Sequence, residues 1–155
     1  MDLFLATCHG IGLALAVGAV AGAVAGAVSA RDEAGAPGAV LALLVGLSMI
    51  AGAVLFGSSL ASEDHPAWPG WPVGALVALL AFSVTSGVVR GAATRVQGAS
   101  AGAQVGYVVI AAAILAALSL FLPPVALLAL VAVCWLALAR RRRAVRKYEG
   151  LRVLR

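Results

Sequence analysis

The chain has 155 residues, 63% of them apolar and 11% charged, with 11 Lys and Arg against 6 Asp and Glu and a formal net charge of +5. A soluble domain carries about 25% charged residues. A mean hydropathy of +1.08 excludes a water-facing surface and with it the soluble globular classes. An all-α polytopic transmembrane helical bundle is expected, and the length allows one bundle without a separate globular domain.

Only Met1 and Asp2 precede the first apolar run, with no Lys or Arg, so the basic start of a cleaved secretory signal is missing and the run is read as a retained span over 3–28. It contains "GAVAGAVAGAV", Gly18 to Val28. In water each interior glycine costs a helix roughly 1 kcal/mol relative to alanine, so three of them at four-residue spacing need a reason. The stripe is longer still: Ala6, Gly10, Ala14, Gly18, Gly22, Gly26 and Ala30 are all small. Because lipid tails are as apolar as leucine, helices in a bilayer associate by close packing, which faces of this kind permit. Gly10, Gly18, Gly22 and Gly26 are therefore assigned to helix packing, either inside this chain's own bundle or against a second copy or a membrane partner. His9 borders the same face. An ionisable group in a span is a functional candidate, although hydrogen bonding to a neighbouring backbone near the interface explains it equally well.

A second span is predicted over 39–61, with shorter small-residue stripes at Ser48 and Gly52 and at Ala53, Gly57 and Ala61. It leads into Glu63, Asp64 and His65, the acidic cluster of the loop. These three could join His9 and Asp2 in a weak cation site, but they lack the H-E-x-x-H or C-x-x-C spacing of a metal centre and read as a solvated loop. Trp68 and Trp71 follow in "HPAWPGWP", where amphipathic rings suit the headgroup level. Phe4, Phe56 and Phe121 are placed near the same boundary. The third span, 73–89, carries Ser83, Thr85 and Ser86, hydroxyls that commonly bond backbone within a bilayer.

The apolar region 105–139 is too long for one straight crossing, since at 1.5 Å per residue it would measure about 50 Å against about 30 Å of hydrocarbon. Pro123-Pro124 divides it. "LPP" is read as a tight turn between spans 105–122 and 125–139. A small-residue stripe at Gly98, Gly102 and Gly106 precedes Tyr107. From residue 140 a basic cytoplasmic tail runs to 155, with Arg140, Arg141, Arg142, Arg143, Arg146 and Lys147 at its start. Such clusters attract anionic lipid at roughly 1 kcal/mol per residue, so these side chains are assigned to headgroup contact.

Positive charge sets the count of spans. Five crossings put Arg31, Arg90, Arg95 and the tail, all eleven Lys and Arg, on one side; four would strand Arg31, Arg90 and Arg95 opposite the tail, against the positive-inside rule. The expected arrangement has the N-terminus outside and the C-terminus cytoplasmic.

Cys8 and Cys134 each lie within an apolar run and read as small hydrophobes rather than a disulfide framework. "GIGLAL", "GAATR" and "GASAG" lack the lysine or third glycine of phosphate-binding loops. Tyr148 is the one tail residue able to stack on a base. No cofactor, metal or nucleic-acid partner and no catalytic residues are expected.

"EDHPAWPG" (Glu63 to Gly70), "LSLFLPPVALLAL" (Leu118 to Leu130) and "KYEGLRVLR" (Lys147 to Arg155) together resemble a set of small actinobacterial multi-spanning membrane proteins known only as a family of unknown function. The likeness covers roughly residues 50–155 and is most specific in the final motif. It implies a bundle in a bacterial plasma membrane and supplies no activity.

The function expected is a structural or accessory one exerted through helix packing. The alternative is a small transporter, channel or lipid-translocating protein lined by His9, Ser83, Thr85, Ser86 and Tyr107.

Overall fold

The computed structural model describes residues 2–31, 38–93 and 101–149, with side chains described over 3–30, 38–92, 103, 106–118, 121–122 and 124–142. Five helices follow in chain order: α1 (Asp2–Arg31), α2 (Gly38–Ala61), α3 (Gly70–Ala93), α4 (Ala101–Phe121) and α5 (Pro123–Glu149). No strand occurs among the described residues.

The long apolar runs form helices as their composition dictates, and the differences from expectation lie at the ends. Span three begins at Gly70 rather than 73. Pro72 falls in its first turn, where the missing N–H would have had no helical partner, so Trp71 belongs to the helix. The Pro123-Pro124 pair lies at the chain reversal between α4 and α5, as expected, but is itself already helical. It forms the first two residues of α5, and the break is Leu122 alone, bridged by Leu122 N–H to the Leu118 carbonyl (2.7 Å) and Val125 N–H to the Leu122 carbonyl (2.9 Å). Beyond the expected span end at residue 139, α5 continues as helix through the arginines to Glu149.

Leu3–Ala30, Gly38–Ala61, Gly70–Ala92 and Pro124–Arg142 are each long and apolar enough to cross a bilayer. In α4 the apolar stretch is shorter, Gly106–Leu118, within a helix of 21 residues.

The bundle is built around α1, which packs against all four other helices and most extensively against α3. Of the apolar window of α1, 61% is buried, against 44% in α3, 17% in α2 and 6% in α5. The packing fixes relative directions. Gly18, Gly22 and Gly26 lie against Ala78, Phe82 and Ser86, so α1 and α3 run parallel. Gly52 meets Gly74 while Gly57 meets Trp71, so α2 runs antiparallel to α3. Leu115 and Ala126 join the cluster of Ala6, Ile11 and Leu15, whereas Val108 packs on Ala23 and Ala27. α4 therefore runs opposite to α1.

Residue sizes are inverted relative to a water-soluble core. The interior holds Ala14, Ala23, Ala25, Ala78 and Ala126, all fully buried, while Leu43, Leu47, Ile50, Val54, Leu128, Val131 and Trp135 face outward. In water such an exterior would forfeit roughly 25 cal/mol per Å² of apolar surface; in lipid it costs nothing, and small interior residues let backbones approach. The exterior is that of a membrane-embedded protein.

Candidate functional site

Polar side chains gather at two places, one at each end of the bundle. The first lies where α1 starts and α2 ends. A groove of about 390 Å³ there is lined by His9 and Leu13 of α1, Ser58 and Ser59 of α2, and Ser62 and Glu63 beyond it. His9 is half-buried. The three hydroxyls are already committed to carbonyls: Ser58 Oγ donates to Leu55 (3.0 Å), Ser62 Oγ to Ser59 (2.9 Å), and Ser59 Oγ is shared between Phe56 (2.9 Å) and Ala6 (3.0 Å). The bond to Ala6 crosses from α2 to α1, an inter-helix link of the kind worth about 0.6 kcal/mol in a membrane. Each of these serines donates to a backbone carbonyl rather than to His9.

The loop residues beside this groove serve first to end α2. His65 N–H donates to the Leu60 carbonyl (3.1 Å) and Asp64 N–H to the Ala61 carbonyl (3.3 Å), the paired bonds of a Schellman cap. Asp64 occupies the left-handed position such a cap needs, with φ at 56°. Aspartate tolerates that conformation better than most side chains, and Pro66 follows because the helix has stopped. The cap also scatters the cluster: Glu63 lines the His9 groove, Asp64 is exposed, and His65 lines a separate, apolar groove with Thr7, Ile11 and Pro69. Among the described residues no three His, Cys, Asp or Glu side chains are grouped to hold a metal ion. Asp2 lies outside the described side chains.

The second place lies at the opposite end, between α3 and α5. A groove of about 550 Å³ is lined by Leu80, Ser83 and Val84 on one wall and Cys134, Ala137, Leu138, Arg140 and Arg141 on the other. Arg140 turns back toward the bundle, and its Nη1 donates to the Val84 carbonyl at 3.1 Å. That Nη1 sits over Gly87, where a Cβ would make the end of the arginine side chain shift. Ser83 Oγ is spent on the Leu80 carbonyl (2.9 Å).

The four packing glycines are covered from within the chain. A Cβ at Gly10 would come within 2.5 Å of Ser59 Oγ and 2.9 Å of the Phe56 ring; at Gly22 it would come within 2.5 Å of the Phe82 carbonyl oxygen, and at Gly26 within 2.8 Å of that of Ser86. At Gly18 it would strike the Ala78 carbonyl. The groove of α1 is thus filled by α2 at one end and by α3 along the rest, leaving it no room for a second chain. Gly106 has open space around it; Gly98 and the Gly102 side of its stripe lie outside the described residues.

The proposed polar lining does not converge. Ser86 is buried against α1 and donates to the Ser83 carbonyl (3.3 Å), Thr85 is half-buried, Tyr107 is 74% exposed on α4, and His9 sits at the other end. Phe56, at 4% exposure, is core, seated in the space left by Gly10, Gly70 and Gly74, rather than facing outward. Phe4 and Phe121 are exposed, as are Trp68 and Trp71. Arg142 is exposed; the side chains of Arg143, Arg146 and Lys147 lie outside the described residues.

Three features escaped the sequence. Gly87 and the inward turn of Arg140 follow only from the proximity of α3 and α5. The Gly52–Gly74 contact was half visible, in the Ser48 and Gly52 stripe. Buried Ser48, whose Oγ has no hydrogen-bond partner, was noted there only as a small residue.

No family model matches the sequence, and neither a curated protein nor a solved structure matches it.

Proposed function

We propose that the chain is a five-span integral protein of a bacterial plasma membrane, N-terminus outside and C-terminus cytoplasmic, with a structural or accessory role exerted through helix packing rather than catalysis. The observation that carries this reading is the close glycine-mediated seating of α1 against α3 and α2, which commits the most distinctive sequence feature to holding the bundle together. With the stripe filled, a partner would meet the exposed apolar faces of the helices, such as Leu43, Leu47 and Ile50 of α2 or Leu128 and Val131 of α5. The transport alternative has less support, because His9, Ser83, Thr85, Ser86 and Tyr107 are scattered over different surfaces. The orientation rests on the positive charge gathered at one end, and membership of the actinobacterial family belongs to the same proposal, on its three sequence segments.

Accessibility of the Leu122 break tests the topology. Leu122→Cys in a Cys134→Ser background, with Cys8 fully buried, should react with a membrane-impermeant maleimide from outside intact cells. Labelling confined to inverted vesicles would refute five crossings in this orientation.

A further inference from the structure

The α3–α5 groove joins two chemistries in a fixed order. Both helices run toward the same end of the bundle, since Ala126 packs with the start of α1 while Arg140 reaches Val84 well along α3. Leu80, Cys134 and Leu138 therefore form an apolar floor, and Arg140 and Arg141 stand at its far mouth. The Val84 carbonyl lies mid-helix, where the i+4 N–H already serves it, so Arg140 is not rescuing an orphaned acceptor. The bond instead ties one N–H of the guanidinium to α3, in a space that Gly87 keeps clear, and leaves the rest of its planar fork unengaged among the described residues. Such a fork matches phosphate oxygens in geometry and charge. Inorganic phosphate would satisfy the arginines but leave the floor empty; a neutral lipid would cover the floor and leave the arginines without a counter-charge.

We propose that this groove is a binding site for one anionic glycerophospholipid, its phosphodiester held by Arg140 and Arg141 and an acyl chain lying along Leu80, Cys134 and Leu138. This rests on the membrane reading above but not on the orientation. Gly87 leaves open the space over α3 that the Arg140 guanidinium occupies.

The test uses the full chain, extracted in detergent, delipidated and exposed to equal amounts of palmitoyl-oleoyl phosphatidylglycerol and phosphatidylcholine, with adducts counted by native mass spectrometry. The single-lipid adduct should favour phosphatidylglycerol about tenfold, the scale of one charge-assisted contact. Arg140→Gln with Arg141→Gln should bring the ratio to parity, and Arg142→Gln, outside the groove, should leave it unchanged. Gly87→Leu, whose side chain would fill the space the guanidinium occupies, should reduce the preference severalfold, and this variant keeps the test open if the double variant fails to fold. Millimolar inorganic phosphate should not displace the lipid; displacement would make the groove a phosphate site and overturn the proposal. Equal adducts in the wild type, or equal loss with Arg142→Gln, would overturn the lipid site while leaving the bundle intact. A chain recovered without detergent would overturn both.

Discussion

Gly22→Ala is the sharpest perturbation of the bundle. The added methyl would stand 2.5 Å from the Phe82 carbonyl oxygen and 2.9 Å from its Cα. Both are backbone atoms that cannot rotate aside. Reaching ordinary contact at 3.4 Å requires α1 and α3 to separate by about 0.9 Å. A gap of that size forfeits roughly a quarter to a half of each dispersion contact it opens, and overpacking of this kind costs about 1–3 kcal/mol. Helix propensity returns at most about 1 kcal/mol. The net loss is up to about 2 kcal/mol, which for a chain of this size lowers the melting temperature by up to roughly 6 °C, read as loss of ellipticity on heating in detergent. Gly46→Ala is the control: its Cβ meets nothing within 4 Å, so propensity acts alone and the melting temperature should not fall. Because one separation relieves both collisions, Gly18→Ala combined with Gly22→Ala should cost less than the two singly added. If Gly22→Ala and Gly46→Ala shift melting equally and in the same direction, close approach of α1 and α3 is not what the glycines provide.

Two further substitutions probe single strained or unsatisfied groups. Asp64→Gly removes a side chain from the left-handed φ of 56° and should raise stability by up to about 1 kcal/mol in the same melt, while a loss would mean the carboxylate holds the cap by a contact of its own. Ser48→Ala deletes a buried hydroxyl that has no partner; relief of its desolvation, about 1 kcal/mol or more, should outweigh the lost packing, and a clear destabilisation would show that the hydroxyl is bonded after all.

The helices were legible because apolar runs of bilayer length leave few alternatives, and the small face of α1 was legible because four-residue spacing is a local property. What covers that face was not. Gly10 and Gly18 lie on one stripe yet meet different helices, since a row at four-residue spacing winds around the axis. Phe56 looked like a boundary aromatic because its surroundings in sequence are those of a span end. Its burial depends on Gly10, Gly70 and Gly74, distant in the chain and each lacking the side chain that would have filled the space. Arg140 reads as the first headgroup contact of a basic tail, and its bond to the Val84 carbonyl depends on α3, distant in the chain. A local signal for the α2 cap did exist, an aspartate two residues before proline and just after an apolar run.

The seating of α1 on α3 means that α1 is covered only by helices that follow it in the chain. Gly18 reaches its contact at Ala78 only after about sixty further residues have been synthesised and inserted. During that interval the nascent chain carries an uncovered strip of backbone facing lipid. A chain halted after α2 would leave that strip, from Gly18 to Gly26, without the helix that covers it.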